Sequence, residues 1–154
     1  MQKILISACL LGENVRYDGK TQQLNNPLLA LWQQQNRLIS ICPEISGGLM
    51  TPREPAEIQI NDSSIITAKG ADVSNAFKNG AEKALSLCKK HNIKFALLKE
   101  FSPSCGSSNI YDGSFTGKIV DGEGVTTQLL QKHNIQVFSE LSIDILAQAL
   151  VECG

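Results

Sequence analysis

The residues of this sequence best able to do chemistry are Cys9, Cys42 and Cys105. Each comes after an apolar run. Ile4-Leu5-Ile6-Ser7-Ala8 precedes Cys9, and Leu38-Ile39-Ser40-Ile41 precedes Cys42. Phe95-Ala96-Leu97-Leu98 leads into Ser102-Pro103-Ser104-Cys105-Gly106-Ser107-Ser108. The cysteines stand 33 and 63 positions apart, so there is no local Cys-x-x-Cys chelate and only the fold can bring them together. Short continuous apolar runs read as strands covered on both faces, and open parallel sheets bind ligands beyond the carboxyl ends of their strands. The expectation is that the three thiols meet at one edge of one sheet. Neighbouring thiolates repel, and a metal or cluster is the usual group that holds them deprotonated. Soft sulfur suits a catalytic zinc with water in its fourth position, and equally a 4Fe–4S cluster with one iron lacking a protein ligand. The spacing does not separate the two. A single buried cysteine is commonly just a small hydrophobe. Three at equivalent strand ends, flanked by Gly, Pro and Ser, read instead as a site. Cys88 lies on the apolar stripe of a helix and reads as core, and Cys153 lies next to the frayed end.

Other polar side chains can join these thiols. Glu44 follows Cys42 by two positions and is placed to act as acid or base, or else is a solvated loop carboxylate. Ser102 and Ser104 can position water or donate to a bound sulfur, or simply cap a turn. Arg16, Tyr17, Asp18 and Arg53 can orient a polar planar substrate, Arg through its forked donors, or form surface salt bridges. His91 and His133 end helices beside Lys and Asn, a helix-dipole role rather than a ligand's.

The elements that must position these residues alternate. Strands are expected near residues 3–8, 37–41, 94–99 and 135–138. A helix starts at Pro27 with Asn26 as its cap and fades by Asn36. A long helix opens at Asp72-Val73-Ser74, with Asp72 or Ser74 as cap, and its stripe Phe77, Ala81, Ala84, Leu85 and Cys88 ends near Lys89-Lys90-His91-Asn92. Glu123 to His133 and about Ser142 to Val151 read as two more helices. Between Cys42 and the long helix lies an irregular stretch, within which Glu57–Ile60 and Ser64–Thr67 can pair as a small hairpin. Arg16-Tyr17-Asp18-Gly19-Lys20 and Tyr111-Asp112-Gly113-Ser114-Phe115 read as turns. The pattern predicts one α/β domain over residues 1–154, three layers with a small, mostly parallel Rossmann-like sheet and a ligand site at the carboxyl ends of its strands.

With 42% apolar and 19% charged residues and a formal net charge of -1, the 154-residue chain has the composition of a globular protein. Near-neutral charge argues against intact tRNA or any other large nucleic acid as partner. No run approaches the roughly 20 apolar residues of a membrane span, and the start has too short an apolar run for a signal peptide. The expected compartment is the cytosol, where thiols stay reduced and serve as ligands or catalysts.

Read together, several motifs resemble the thiouracil desulfidase (TudS) family. They are Ser7-Ala8-Cys9-Leu10-Leu11-Gly12, Val15-Arg16-Tyr17-Asp18-Gly19, Cys42-Pro43-Glu44 with Gly47-Gly48-Leu49, Pro52-Arg53, Ser102-Pro103-Ser104-Cys105-Gly106 and Ile110-Tyr111-Asp112-Gly113. The resemblance covers essentially the whole chain. It implies a 4Fe–4S cluster on Cys9, Cys42 and Cys105 with one iron open. It implies non-redox removal of sulfur from a small thiolated pyrimidine such as 2-thiouracil or 4-thiouracil, giving uracil and sulfide, with the sulfur captured by the open iron. It maps an acid/base carboxylate onto Glu44 and a catalytic serine onto the Ser102–Ser104 loop, with Ser102 preferred. Two rival readings keep the same thiols: a zinc hydrolase, and a cluster-bearing redox sensor or partner-binding module. A thiol-based reductase is a third.

Overall fold

The structure, a computed structural model, describes residues 1–14, 16–19 and 23–153. Val15 of the Val-Arg-Tyr-Asp-Gly motif and Lys20 of the expected turn lie outside the described residues.

Four strands form a wholly parallel sheet: β1 (Ile4–Ser7), β2 (Leu38–Ile41), β5 (Phe95–Leu98) and β8 (Gln136–Ser139), in the order β2-β1-β5-β8. Between them in sequence lie two short antiparallel pairs, β3 (Ala56–Ile58) with β4 (Ile65–Thr67) and β6 (Asn109–Tyr111) with β7 (Ile119–Asp121). The central strands β1 and β5 are buried at every position, as their unbroken apolar sequence requires of strands covered on both faces.

Alternate residues of these strands point to opposite layers. Ile4, Ile6, Phe95 and Leu97 meet Leu29 and Trp32 of α1 (Pro27–Gln34) and Leu146 and Leu150 of α5 (Ile143–Cys153). Leu5, Ala96 and Leu98 meet Ala84, Leu85 and Cys88 of α3 (Ser74–His91) and Leu130 of α4 (Val125–Lys132). The result is the expected helix–sheet–helix sandwich. A third small core, Ile58, Ile65, Phe77 and Ile110, joins the two hairpins to α3.

Local chemistry sets the helix ends. Asn26 caps α1 by accepting the Leu28 N–H at 2.9 Å, with Pro27 at the first position. The N-cap of α3 is Val73, which gives no side-chain cap, and not Asp72 or Ser74 as expected: Asp72, one position earlier, accepts the Ser74 N–H at 2.9 Å, and the Ser74 hydroxyl accepts the Ile65 N–H at 2.8 Å and so ties α3 to the first hairpin. Asn92 closes α3 with φ 56 after Lys89, Lys90 and His91. The expected hairpin over 57–67 forms. The second one, around the Tyr111–Phe115 turn, was not expected, because its strands are mostly half-buried or exposed and lack the apolar pattern of the first pair. Nor was α2 (Pro43–Ser46), a single turn that Cys42 begins as N-cap. Among the described residues no helix is long and apolar enough to cross a membrane.

Candidate active site

The strand order reverses between β1 and β5: β2 lies beyond one and β8 beyond the other. At such a point the loops leaving the carboxyl ends diverge and open a crevice. Cys9 and Cys105 come from the segments after these two strands, and Cys42 directly after β2. All three thiols line one cavity of about 480 Å³.

Cys9 sits in a 3-10 turn, Ala8–Leu11, that Gly12 closes in the left-handed region at φ 96. Burial pushes its thiol up to about 11; Cys42 pushes the same way, and the positive charges of Lys99 and Arg16 oppose both. The Cys42 thiol is also raised by burial, while the N–H groups of Ile45 and Glu44 at the start of α2 pull it down. Cys105 is 4% exposed. Burial raises its thiol strongly, against hydrogen bonds from the Ser7 and Ser104 hydroxyls, with Glu44 and Cys42 adding to the rise. Cys42 thus lies within electrostatic reach of both other thiols. The set resists triple ionisation unless a cation or cationic cluster compensates it.

A dense backbone network holds the Cys105 loop. The Ser102 hydroxyl accepts the N–H groups of Ser104 at 3.0 Å and Cys105 at 3.2 Å. The amides opening α4 fill the loop carbonyls: Gly124 N–H donates to Gly106 at 2.8 Å, Val125 to Pro103 at 2.9 Å and Thr126 to Ser104 at 2.8 Å. The Thr127 hydroxyl donates to the Cys105 carbonyl at 3.0 Å. A Cβ on Gly124 would stand 2.4 Å from the Ser104 carbonyl, so only glycine allows this approach.

Glu44 lines the cavity from the first turn of α2, and its Oε1 accepts from Arg53 Nη2 at 2.9 Å and Nε at 3.2 Å. Arg16, Tyr17, Arg53 and Ser102 line it as well. Arg16 stacks over the Tyr17 ring at 5.7 Å. Asp18 pairs with Arg16 at 3.7 Å and does not line the cavity. Neither does Ser104, which is fully buried with its hydroxyl 2.7 Å from that of Thr126.

Further residues of the cavity escaped the sequence reading. Glu100 is 3% exposed, and its Oε1 accepts the N–H groups of Ser107 at 2.8 Å, Ser108 at 3.1 Å and Asn109 at 3.3 Å, while the Ser107 hydroxyl donates to Oε2 at 2.9 Å. Lys99 pairs with Glu140 at 2.7 Å, and its N–H donates to Ser7 Oγ at 3.0 Å. Glu57 of β3 and the aromatic rings of Phe101, Tyr111 and Phe115 complete the walls. Lys99 to Phe101 follow β5 directly, so the strand-end rule that found Cys105 also points to them; Glu57 has no such signal.

A second hollow of about 540 Å³ touches Cys42 from the outer side of β2 and α3. Lys83, Lys90 and Ser86 line it, with neither of the other two thiols, so it is not the site of three-thiol chemistry.

Comparison with known proteins agrees with this geometry. The 2-thiouracil desulfurase family profile matches residues 4–142. A protein of Bacillus subtilis (strain 168), the uncharacterized YbbK, is 41% identical over 152 residues, spanning 93% of this chain and 99% of its own. A solved structure of a [4Fe-4S]-dependent thiouracil desulfidase, TudS, superposes with a TM-score of 0.95 at 50% identity, covering 98% of this chain and 99% of that one. A match over nearly every element, including all three thiol-bearing segments, places the chain in the 2-thiouracil desulfurase family.

Proposed function

We propose that this protein is a desulfidase for a small thiolated pyrimidine, with a 4Fe–4S cluster held by Cys9, Cys42 and Cys105 and one iron left without a protein ligand. The observation that carries the reading is the convergence of these three thiols on one cavity that Glu44 and Ser102 also line. The residues fit the group. The donors are soft sulfur, their burial disfavours thiolates lacking a compensating positive centre, and the cavity has the size of a small-ligand site. Among the described residues no three His, Cys, Asp or Glu side chains are grouped to hold a single metal ion. What favours a 4Fe–4S cluster over zinc is the likeness to the solved [4Fe-4S]-dependent thiouracil desulfidase.

The cluster would supply a thiophilic Lewis acid that prefers C=S sulfur to C=O oxygen. The overall change replaces C=S by C=O with water as the oxygen source, releases sulfide and transfers no net electrons. Glu44 is the base that takes a proton from the attacking water. Arg53 binds Oε1 and fixes the carboxylate, and Oε2 accepts from no other described residue. The Ser102 hydroxyl accepts two amides, which leaves its own hydrogen to donate to the substrate. Ser104 instead supports Cys105 from behind. Arg16 and Tyr17 meet the polar edge and the face of the ring.

The test is anaerobic reconstitution with iron and sulfide, followed by 4-thiouracil. Brown Fe–S absorption, decay of the thiobase band, and stoichiometric uracil and sulfide are expected. Absorption without decay on any thiobase would mean a sensor or binding module; no absorption would return the site to zinc or bare thiols.

A further inference from the structure

The chain has eight aromatic residues: five Phe, two Tyr and one Trp. Trp32, Phe95 and Phe138 pack in one core and Phe77 in another. The other four, Tyr17, Phe101, Tyr111 and Phe115, all line the thiol cavity. Of all eight, only Tyr17 and Phe115 count as exposed, at 39% and 37%. Phe115 is thus an apolar ring that lines the cavity and stays exposed, although burial in a core would stabilise it, and such a ring is placed for a ligand.

Phe115 is held there deliberately. It lies in the loop joining β6 to β7 with φ 59, a left-handed conformation that disfavours bulky side chains. A carboxylate from another hairpin fixes that loop: Glu57 of β3, 9% exposed, accepts the N–H groups of Gly113 at 2.9 Å and Phe115 at 3.2 Å. Gln59 Nε2 donates to the Gly113 carbonyl at 3.2 Å from the same segment.

We infer that Phe115 covers the flat face of the bound pyrimidine and helps set its affinity, and that Glu57 is the positioning residue for the loop carrying it. This rests on the proposed desulfidase reading. A thiopyrimidine has polar edges and apolar faces. Arg16, Arg53 and Ser102 offer edge donors, while the rings of Tyr17, Phe101, Tyr111 and Phe115 offer apolar surface for a face, Phe115 being the most exposed of them apart from Tyr17.

The test uses the cluster-loaded protein and its Phe115→Leu, Phe115→Tyr, Glu57→Ala and Glu57→Gln variants. It reads kcat and KM for 4-thiouracil and, separately, the dissociation constant of uracil by equilibrium dialysis. Phe115→Leu is expected to raise KM and the uracil constant about two- to tenfold, with kcat little changed and the cluster absorption intact. Phe115→Tyr, which keeps the ring, recovers most of that loss. Glu57→Ala shows the same KM-against-kcat split, adds little on top of Phe115→Leu, and is partly rescued in Glu57→Gln, which keeps an acceptor oxygen. Unchanged KM with unchanged or undetectable uracil binding in Phe115→Leu overturns the inference. A wild-type protein that turns over no thiobase, yet binds uracil more weakly once Phe115 is changed, overturns the desulfidase reading and leaves the aromatic cover standing.

Discussion

Gly80 of α3 lies against Pro43 of α2 so closely that a Cβ at position 80 would stand 1.8 Å from the Pro43 carbonyl oxygen. Gly47 makes the reciprocal approach, 1.9 Å from the Ala76 carbonyl oxygen. The two glycines let α2 lie backbone to backbone on α3, and α2 begins at Cys42 and carries Glu44. Alanine in a helix interior normally gains up to about 1 kcal/mol over glycine. Here overpacking, typically about 1–3 kcal/mol, opposes that gain and should win. Gly80→Ala is therefore expected to lower stability in chemical denaturation by about 1–2 kcal/mol and to impair cluster loading, since α2 must move. Increased stability with normal loading would show that α2 is not seated by this contact.

The three proposed ligands predict a sharp division among the five cysteines. Alanine at Cys9, Cys42 or Cys105 should leave iron and labile sulfide near background after reconstitution. Cys88→Ala should load fully, though its burial at 1% exposure makes a loss of about 1 kcal/mol in stability the expected penalty. Cys153→Ala should be silent in both assays. Iron lost in either control would reassign the ligand set.

Glu44, Ser102 and Ser104 separate by what each substitution disturbs. Glu44→Gln should retain the cluster and lose turnover by roughly 10²-fold or more, the scale of general-base catalysis. Ser102→Ala should lower kcat. Ser104→Ala should act mainly on stability, by about 1–3 kcal/mol, because it leaves the buried Thr126 hydroxyl without its 2.7 Å partner. A Ser104→Ala protein as stable as the parent but inactive would exchange the roles of the two serines.

These predictions mix what the sequence shows with what only the fold reveals. Strand ends were legible because short apolar runs such as Phe95–Leu98, too short for a helix and bounded by turn signals, alternate with helical patterns, and the cap at Asn26 followed from its Pro27 neighbour. The three thiols were found by position, and their meeting at one edge followed from parallel topology. Glu57 and Glu100 were not legible as buried residues, because their partners are backbone amides, which leave no mark in a sequence. The β6–β7 pair escaped because its strands are mostly half-buried or exposed and show no apolar pattern, and with it the reason for an aromatic at position 115.

Glu100 also makes stability depend on pH. Burial acts to raise its pKa, yet the N–H of Ser108, the hydroxyl and N–H of Ser107 and the N–H of Asn109 together bring it below its ordinary 4.5. A carboxyl depressed in the folded state stabilises the fold fully above its unfolded value and loses that contribution as pH falls through the folded value. Glu100→Gln should thus cost about 1–3 kcal/mol at pH 7, and the gap from wild type should narrow below pH 4.5. A constant gap down to acid would mean that the charge of Glu100 does not contribute.

The loop that presents Cys105 is braced by the opening amides of α4 and by the Ser102 hydroxyl, with Gly106 N–H donating to the Ser102 carbonyl at 2.9 Å. Its backbone polarity is met by protein alone. The shape of that loop therefore rests on its own backbone hydrogen bonds rather than on the sulfur atom it carries. A substitution of the Cys105 side chain then removes a thiol without unravelling the segment that presents it, and the carbonyl of residue 105 keeps its bond from the Thr127 hydroxyl.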